Sequence, residues 1–252
     1  MAEYDVAIIG GGPGGYVAAI RAAQLGLTVA LFEKERVGGL CLNWGCIPSK
    51  AVLKNADVVN YVRDGQAWGL GGTDTVTFDY GAAIDRSREV VERIVGGVEG
   101  LLRDNGVAVF TGEASLSGTR TVVCAGAEHQ AANILIATGA SPRMLPGVQP
   151  DGETLLTSRE ALARRDPPKR AVIIGAGPIG VEFAHVWASY GAEVTIVELL
   201  ETLLPLEDPD IGRQLKRSFE GRGIRCLVKT RVEEVATGAG GACPAAPRGP
   251  RR

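Results

Sequence analysis

Apolar and polar positions along the chain switch repeatedly between a strand-like and a helix-like period. Residues 5–9 form a short apolar run, residues 16–25 carry the small and apolar side chains of a helix packed closely on a sheet, and residues 28–32 are apolar again. That order predicts strand, helix, strand, the opening of a parallel sheet. A helix is predicted from residue 51 to about residue 62, followed by a polar, glycine-rich connection over 64–75. Residues 82–105 repeat Ile84, Val91, Ile94, Val95, Val98, Leu101 and Leu102 at three- and four-residue intervals, a second long helix. Gly96 and Gly97 interrupt it, and the expectation is a close helix crossing there. Strand-like runs follow at 107–112, 121–125 and 134–137. Pro142, Pro146, Pro150, Pro167 and Pro168 then punctuate a crossing between domains. A second strand, helix, strand series occupies 171–174, a helix to about Tyr190, and 193–197. A helix at 211–222, a strand at 224–228 and the start of another at 232–236 complete the pattern. Residues 237–252 show no periodicity, and disorder is expected.

The turns after the two leading strands change this picture from fold to ligand. Gly10-x-Gly12-x-x-Gly15 follows the first strand directly, and Gly175-x-Gly177-x-x-Gly180 follows its counterpart. Such glycines permit a tight turn, close backbone approach to a pyrophosphate and close helix packing. Glu33 follows Gly15 by the same interval as Glu198 follows Gly180, each at the end of its second strand, where a carboxylate accepts bonds from a ribose hydroxyl. The chain is therefore read as α/β, with two Rossmann-like dinucleotide-binding units on parallel sheets, the second incomplete. A carboxylate at Glu198 repels a 2′-phosphate, and Leu199 and Leu200 offer no guanidinium to hold one, so NAD is favoured over NADP.

Residues 38–50, Gly-Gly-Leu-Cys-Leu-Asn-Trp-Gly-Cys-Ile-Pro-Ser-Lys, carry the most specific chemistry. A disulfide needs its Cα atoms within about 6.8 Å, and a helix rises about 1.5 Å per residue, so bonding Cys41 to Cys46 needs a turn tighter than regular helix. Gly45 and Pro48 supply that irregularity. A switchable disulfide at a helix start fits, since the positive helix end stabilises a thiolate. Half of a zinc site and a purely structural disulfide are the alternatives; Cys124, Cys226, Cys243, His129 and His185 show no second ligand pair with metal spacing.

Composition bounds the partners. The chain has 252 residues, 45% of them hydrophobic, and a net charge of −2 from 27 basic and 29 acidic residues. That balance argues against nucleic acid or an anionic membrane surface. With no apolar segment of spanning length and no secretory signal, a soluble, unprocessed, cytoplasmic protein is expected.

The 38–50 string, placed after an N-terminal glycine-rich motif, resembles the active-site signature of the flavin-linked, pyridine nucleotide disulfide oxidoreductases, most of all the dihydrolipoamide dehydrogenases. The resemblance implies an NAD-dependent enzyme that oxidises dihydrolipoamide on a lipoyl carrier protein of a 2-oxo acid dehydrogenase complex. It implies FAD at the first glycine motif and NAD at the second. Cys41 is then the thiol that exchanges with substrate, Cys46 the thiol facing the flavin, and Lys50 a charge near the flavin ring. Ala114 and the backbone of Thr138, Gly139 and Ala140 become FAD contacts, Glu182 lies on the nicotinamide side of the flavin or is an ordinary first-turn acid, and Val232 offers backbone to the adenine. The domain reading is an FAD domain with the redox pair at 1–144, a linker at 145–168 and a partial NAD domain at 169–236. Family members continue into a dimerisation domain with a His-Pro…Glu base, whereas neither His129, expected in a polar turn, nor His185, on the helix after the second glycine motif, precedes proline. A truncated chain is therefore expected, with a non-catalytic FAD-binding fragment, or a disulfide reductase of the glutathione or mercuric type, as the alternative.

Overall fold

The computed structural model describes residues 3–238 and 241–245, with side chains to residue 235. In chain order the elements begin β1 (Tyr4–Ile9), α1 (Pro13–Gln24), β2 (Val29–Glu33), α2 (Gly39–Trp44), α3 (Cys46–Arg63) and α4 (Tyr80–Asp104). β3 (Ala108–Thr111), β4 (Ala114–Leu116), β5 (Thr121–Cys124) and β6 (Ala127–Ile136) follow. The chain then forms α5 (Ser158–Ala163), β7 (Arg170–Ile174), α6 (Pro178–Ser189), β8 (Glu193–Val197), α7 (Pro209–Gly221), β9 (Arg225–Leu227), β10 (Glu234–Gly238) and β11 (Gly241–Ala245). Among the described residues no helix is long and apolar enough to cross a membrane.

Two compact units result: Met1–Pro48 with Arg86–Pro142, and Ser49–Asp85 with Arg143–Arg252. The expected first domain at 1–144 is thus divided. Val52 and Ala56 of α3 and Tyr80 and Ile84 of α4 are buried with Val181, Ala184 and Trp187 of α6, so residues 49–85 belong to the second unit's core. Periodicity shows that a helix buries a stripe, without showing against what.

The first unit is a six-stranded sheet in the order β3-β2-β1-β6-β5-β4. β3, β2, β1 and the second half of β6 are parallel. The first half of β6 pairs antiparallel with β5, which pairs antiparallel with β4. Successive strand residues face opposite sides. Ile8 and Leu31 therefore pack with Ala19 of α1 and Val91, Val95, Val98 and Leu102 of α4. Ala7, Ile9, Ala30 and Phe32 pack on the other side with Val122, Cys124 and Ala131. Strands covered on both faces read as unbroken apolar runs, as residues 6–9 do.

Two local expectations fail for geometric reasons. Gly96 and Gly97 mark no helix crossing: both are exposed, with no atom within 4 Å of where a Cβ would stand, because they lie on the outer side of the α4 stripe. His129 is not in a polar turn. The turn falls at Ala125 and Gly126, both with positive φ, and this leaves His129 inside β6, its ring 4.3 Å from that of Phe110 and 5.1 Å from that of Phe32.

The second unit carries a three-stranded parallel sheet, β7-β8-β9, with α6 and α7 following β7 and β8. Its core gathers Ala176, Phe183, Val194, Ile196, Leu203, Phe219 and Ile224. Where disorder was expected from residue 237, β10 and β11 pair antiparallel from Glu234 with Ala245 to Gly238 with Gly241. Residues 239–240 and 246–252 of the expected tail lie outside the described residues.

Candidate functional site

The two glycine turns are built alike, each within its own unit. After β1, the Gly10 N–H donates to Phe32 O at 2.8 Å; after β7, the Gly175 N–H donates to Val197 O at 2.9 Å. A Cβ on Gly15 would stand 1.7 Å from Gly10 O, and one on Gly180 would stand 2.2 Å from Gly175 O, so neither position admits a side chain. α1 and α6 then start with Gly12 and Gly177 as N-caps and proline in the first turn, and in neither does a side chain cap the free amides. The glutamates repeat the symmetry. Glu33 accepts from Gly11 N at 2.7 Å and Glu35 N at 2.8 Å. Glu198, which is buried, accepts from Ala176 N at 2.7 Å and Leu200 N at 2.8 Å. Each carboxylate thus staples the turn after one strand to the end of the next and retains lone pairs for further donors.

The cysteine segment sits on the first of these turns. The Gly38 N–H donates to Gly11 O at 2.8 Å. Gly39 has φ +55°, and a Cβ there would stand 2.7 Å from Gly12 Cα. Only glycine satisfies both the left-handed backbone and the contact. Cys41 lies in α2, half-buried beside the Ile8, Val91 and Val95 cluster, and the exposed Cys46 opens α3. Gly45 between them would bring a Cβ to 2.9 Å from Leu40 O and 3.3 Å from Cys41 Cα, the tight turn expected from the sequence.

Of the other predicted positions, Thr138 joins the same cradle: Gly10 packs against Ala137 O and Thr138 Cα, while Gly139 takes φ +76° and Ala140 is exposed. Ala114 opens β4 opposite Cys124. In the second unit, Lys50 Nζ and Glu182 Oε1 form an ion pair at 2.7 Å across 132 residues of chain. From sequence, Lys50 is expected near the flavin and Glu182 on its nicotinamide side or as a first-turn acid, without a pairing of the two. Val232 is half-buried beyond β9. His129 packs on the sheet face opposite Cys41, and His185 is enclosed by Asp57 at 3.4 Å and Arg222 at 2.8 Å. Burial, then the Arg222 charge, lowers the His185 pKa against the opposing pull of Asp57. Among the described residues no group of three or more His, Cys, Asp or Glu is gathered to hold a metal.

Two residues that brace the cysteine segment, Asn43 and Arg88, carried no assignment from sequence. Asn43, 2% exposed, donates through Nδ2 to Val37 O and Gly39 O, both at 3.0 Å, and its own carbonyl accepts from Arg88 Nη1 at 2.8 Å. The available signal was a charged residue on an apolar stripe, since Arg88 precedes Val91 and Val95 at helical spacing.

The residues fit a dinucleotide in each unit: crowded glycines where the backbone must turn, open space at Gly177 and almost none filled at Gly12, uncapped helix amides facing it, and a fixed carboxylate. The family model described as "Pyridine nucleotide-disulphide oxidoreductase" matches residues 4–243. A protein named dihydrolipoyl dehydrogenase from Chlorobaculum parvum is 45% identical over 240 residues, 93% of this chain and 51% of that protein. The chain thus spans about half the length of the curated relatives it matches. Among solved structures, LpdA of Mycobacterium tuberculosis superposes with a TM-score of 0.86 at 29% identity, over 96% of this chain and 55% of that one. An HOCl-induced flavoprotein disulfide reductase, RclA of Escherichia coli, gives 0.82 at 28% identity, over 97% and 53%. The chain belongs to the pyridine nucleotide-disulphide oxidoreductase family.

Proposed function

We propose that this chain carries the cofactor sites and redox cysteines of a dihydrolipoyl dehydrogenase, which oxidises dihydrolipoamide to lipoamide with NAD as acceptor. The observation that carries the reading is the docking of the Cys41–Cys46 segment on the first glycine turn through Gly38, Gly39, Gly11 and Gly12. It brings a thiol pair to the rim of a dinucleotide cradle.

In the first unit, Gly12, Gly15 and the α1 amides would hold the FAD pyrophosphate, Glu33 would take ribose hydroxyls, and Ala114 and Thr138 to Ala140 would contribute further contacts. In the second, Gly175, Gly177, Gly180 and Glu198 would do the same for NAD, with Val232 offering backbone to the adenine. Both Glu198 oxygens already accept amide protons, so the carboxylate is fixed in position and charged against a 2′-phosphate. A substrate thiolate attacks Cys41 of the oxidised pair, breaking the disulfide and leaving the electron pair on Cys46 as thiolate. The second substrate thiol then displaces Cys41, closing the lipoamide ring and leaving a dithiol. The chemistry that bound FAD and NAD would supply is acceptance of that electron pair and its removal as hydride. Lys50 pairs with Glu182 within the second unit, and its electrostatic role towards the flavin rests on the family resemblance alone. The substrate is carried by a lipoyl protein of a 2-oxo acid dehydrogenase complex, family members work as homodimers through a domain outside the region matched here, and a cytoplasmic setting keeps such a thiol pair cycling.

The test is a visible spectrum of the purified chain with FAD, before and after one equivalent of dithiol under anaerobic conditions. A flavin spectrum that gains a long-wavelength band from thiolate contact supports the reading. A protein that binds FAD with no such band, in the wild type and in C46S alike, overturns it.

A further inference from the structure

We propose that Arg88 is a positioning residue for the redox pair, clamping the turn between Cys41 and Cys46 and setting how strongly the disulfide is favoured. The inference rests on the reading of that pair as redox-active.

α2 is only six residues long, and the carbonyls in its last turn have no helical partner. One of them, Asn43 O, is taken by the Arg88 guanidinium at 2.8 Å, a charge-assisted bond stronger than a neutral one. Asn43 lies two residues after Cys41 and three before Cys46, and its side chain is itself tied to Val37 O and Gly39 O. Arg88 therefore grips the turn at a rigid node. Below it on α4, Val91 and Val95 pack with Cys41 and Ile47, so one helix supports the segment on both sides of the turn.

The position is chemically expensive. Arg88 Nε and Nη2 and Asn43 Oδ1 are buried with no hydrogen-bond partner among the described residues. Buried polar groups of this kind accompany strained, redox or catalytic sites or a held water or ion, and no apolar side chain could supply the bond to Asn43 O. Burial also opposes the charge, with Glu92 favouring it and Arg36 opposing it again. What the guanidinium provides in return is restraint: a pinned turn keeps the two sulfurs close in the dithiol, so less freedom is lost when they bond.

The equilibrium that reads this is exchange with glutathione. One cysteine thiolate attacks oxidised glutathione and releases one glutathione thiolate, and the second cysteine attacks the mixed disulfide and releases the other. The protein loses two thiol protons and two electrons, and two glutathione thiols form. The full chain, R88Q and R88K are equilibrated anaerobically at pH 7 in glutathione buffers, quenched with acid, alkylated and scored by mass spectrometry of the peptide holding both cysteines. Circular dichroism monitors the fold. R88Q is expected to shift the constant about tenfold towards the dithiol, about 30 mV for a two-electron couple. R88K, which keeps the charge without the planar fork, is expected to shift it about threefold. A wild-type constant in whichever variant keeps the native fold overturns the clamp. If wild type forms no Cys41–Cys46 disulfide in the most oxidising buffer, the redox reading itself falls, and the clamp with it.

Discussion

Replacing Gly39 by alanine tests the docking on which the functional reading depends. Two separate costs follow from the structure. At φ +55° an alanine carries left-handed strain of about 1–2 kcal/mol. Its Cβ would also stand 2.7 Å from Gly12 Cα and 3.2 Å from Gly12 N, both backbone atoms that no side-chain rotation can move away. Overpacking of that kind costs about 1–3 kcal/mol. Gly26 is the internal control, because its φ is +85° but nothing lies within 4 Å of its Cβ position. G26A should therefore show strain alone, and G39A should exceed it by about 1–3 kcal/mol in urea unfolding at constant m-value. The clash falls on the turn that receives FAD, so flavin affinity separates the two variants as well. If about 1.4 kcal/mol of the clash is relieved by moving Gly12, FAD binding weakens about tenfold in G39A and stays near wild type in G26A. Equal unfolding midpoints and equal FAD titrations for the two variants would refute the docking.

Other outcomes follow from single groups. E198A leaves the buried Ala176 N–H without its acceptor and should lower stability by about 1–3 kcal/mol while weakening NAD binding, measured by calorimetry, and narrowing the preference for NAD over NADP because the charge facing a 2′-phosphate is gone. For His185 the folded pKa lies below the ordinary value, so the fold binds fewer protons than the unfolded chain. The stability contributed by its neutral form is present above the unfolded pKa and lost as pH falls through the folded one. The thermal midpoint of wild type should drop below about pH 6.5, and that of H185Q should drop less over the same range. Burial pushes the Cys226 thiol up to about 11, so at pH 8 iodoacetamide should label exposed Cys46 well before Cys226, as read by peptide mass spectrometry; equal rates in the folded chain would contradict the burial of β9.

The candidate site was legible wherever its chemistry is local. Gly10, Gly12 and Gly15 with Glu33, and Gly175, Gly177 and Gly180 with Glu198, could be read because each set lies within one strand, turn, helix and strand, and steric exclusion at a turn restricts the residue type itself. The Cys41–Cys46 string was readable for the same reason, its turn needing Gly45 in place. Partners distant in sequence were not legible. Lys50 and Glu182 are each ordinary helix charges until the fold brings them to 2.7 Å, and Arg88 is an ordinary arginine until its guanidinium meets Asn43 O.

The same division runs through the fold. Periodicity determined that α3 and α4 bury apolar stripes, because helical spacing puts those residues on one face. Tertiary structure alone decided that residues 49–85 pack with α6, that Gly96 and Gly97 face outward, and that His129 sits against Phe32 and Phe110. Local rules act through backbone sterics over a few residues, whereas the choice of packing partner depends on how the whole chain excludes water. The sequence by itself thus determined two tight glycine turns and a cysteine pair flanking a third. Only the folded chain decided that the pair rests on the first of those turns, since Gly38 bonds to Gly11 and Gly39 meets Gly12 only when β1, α2 and α4 share one core.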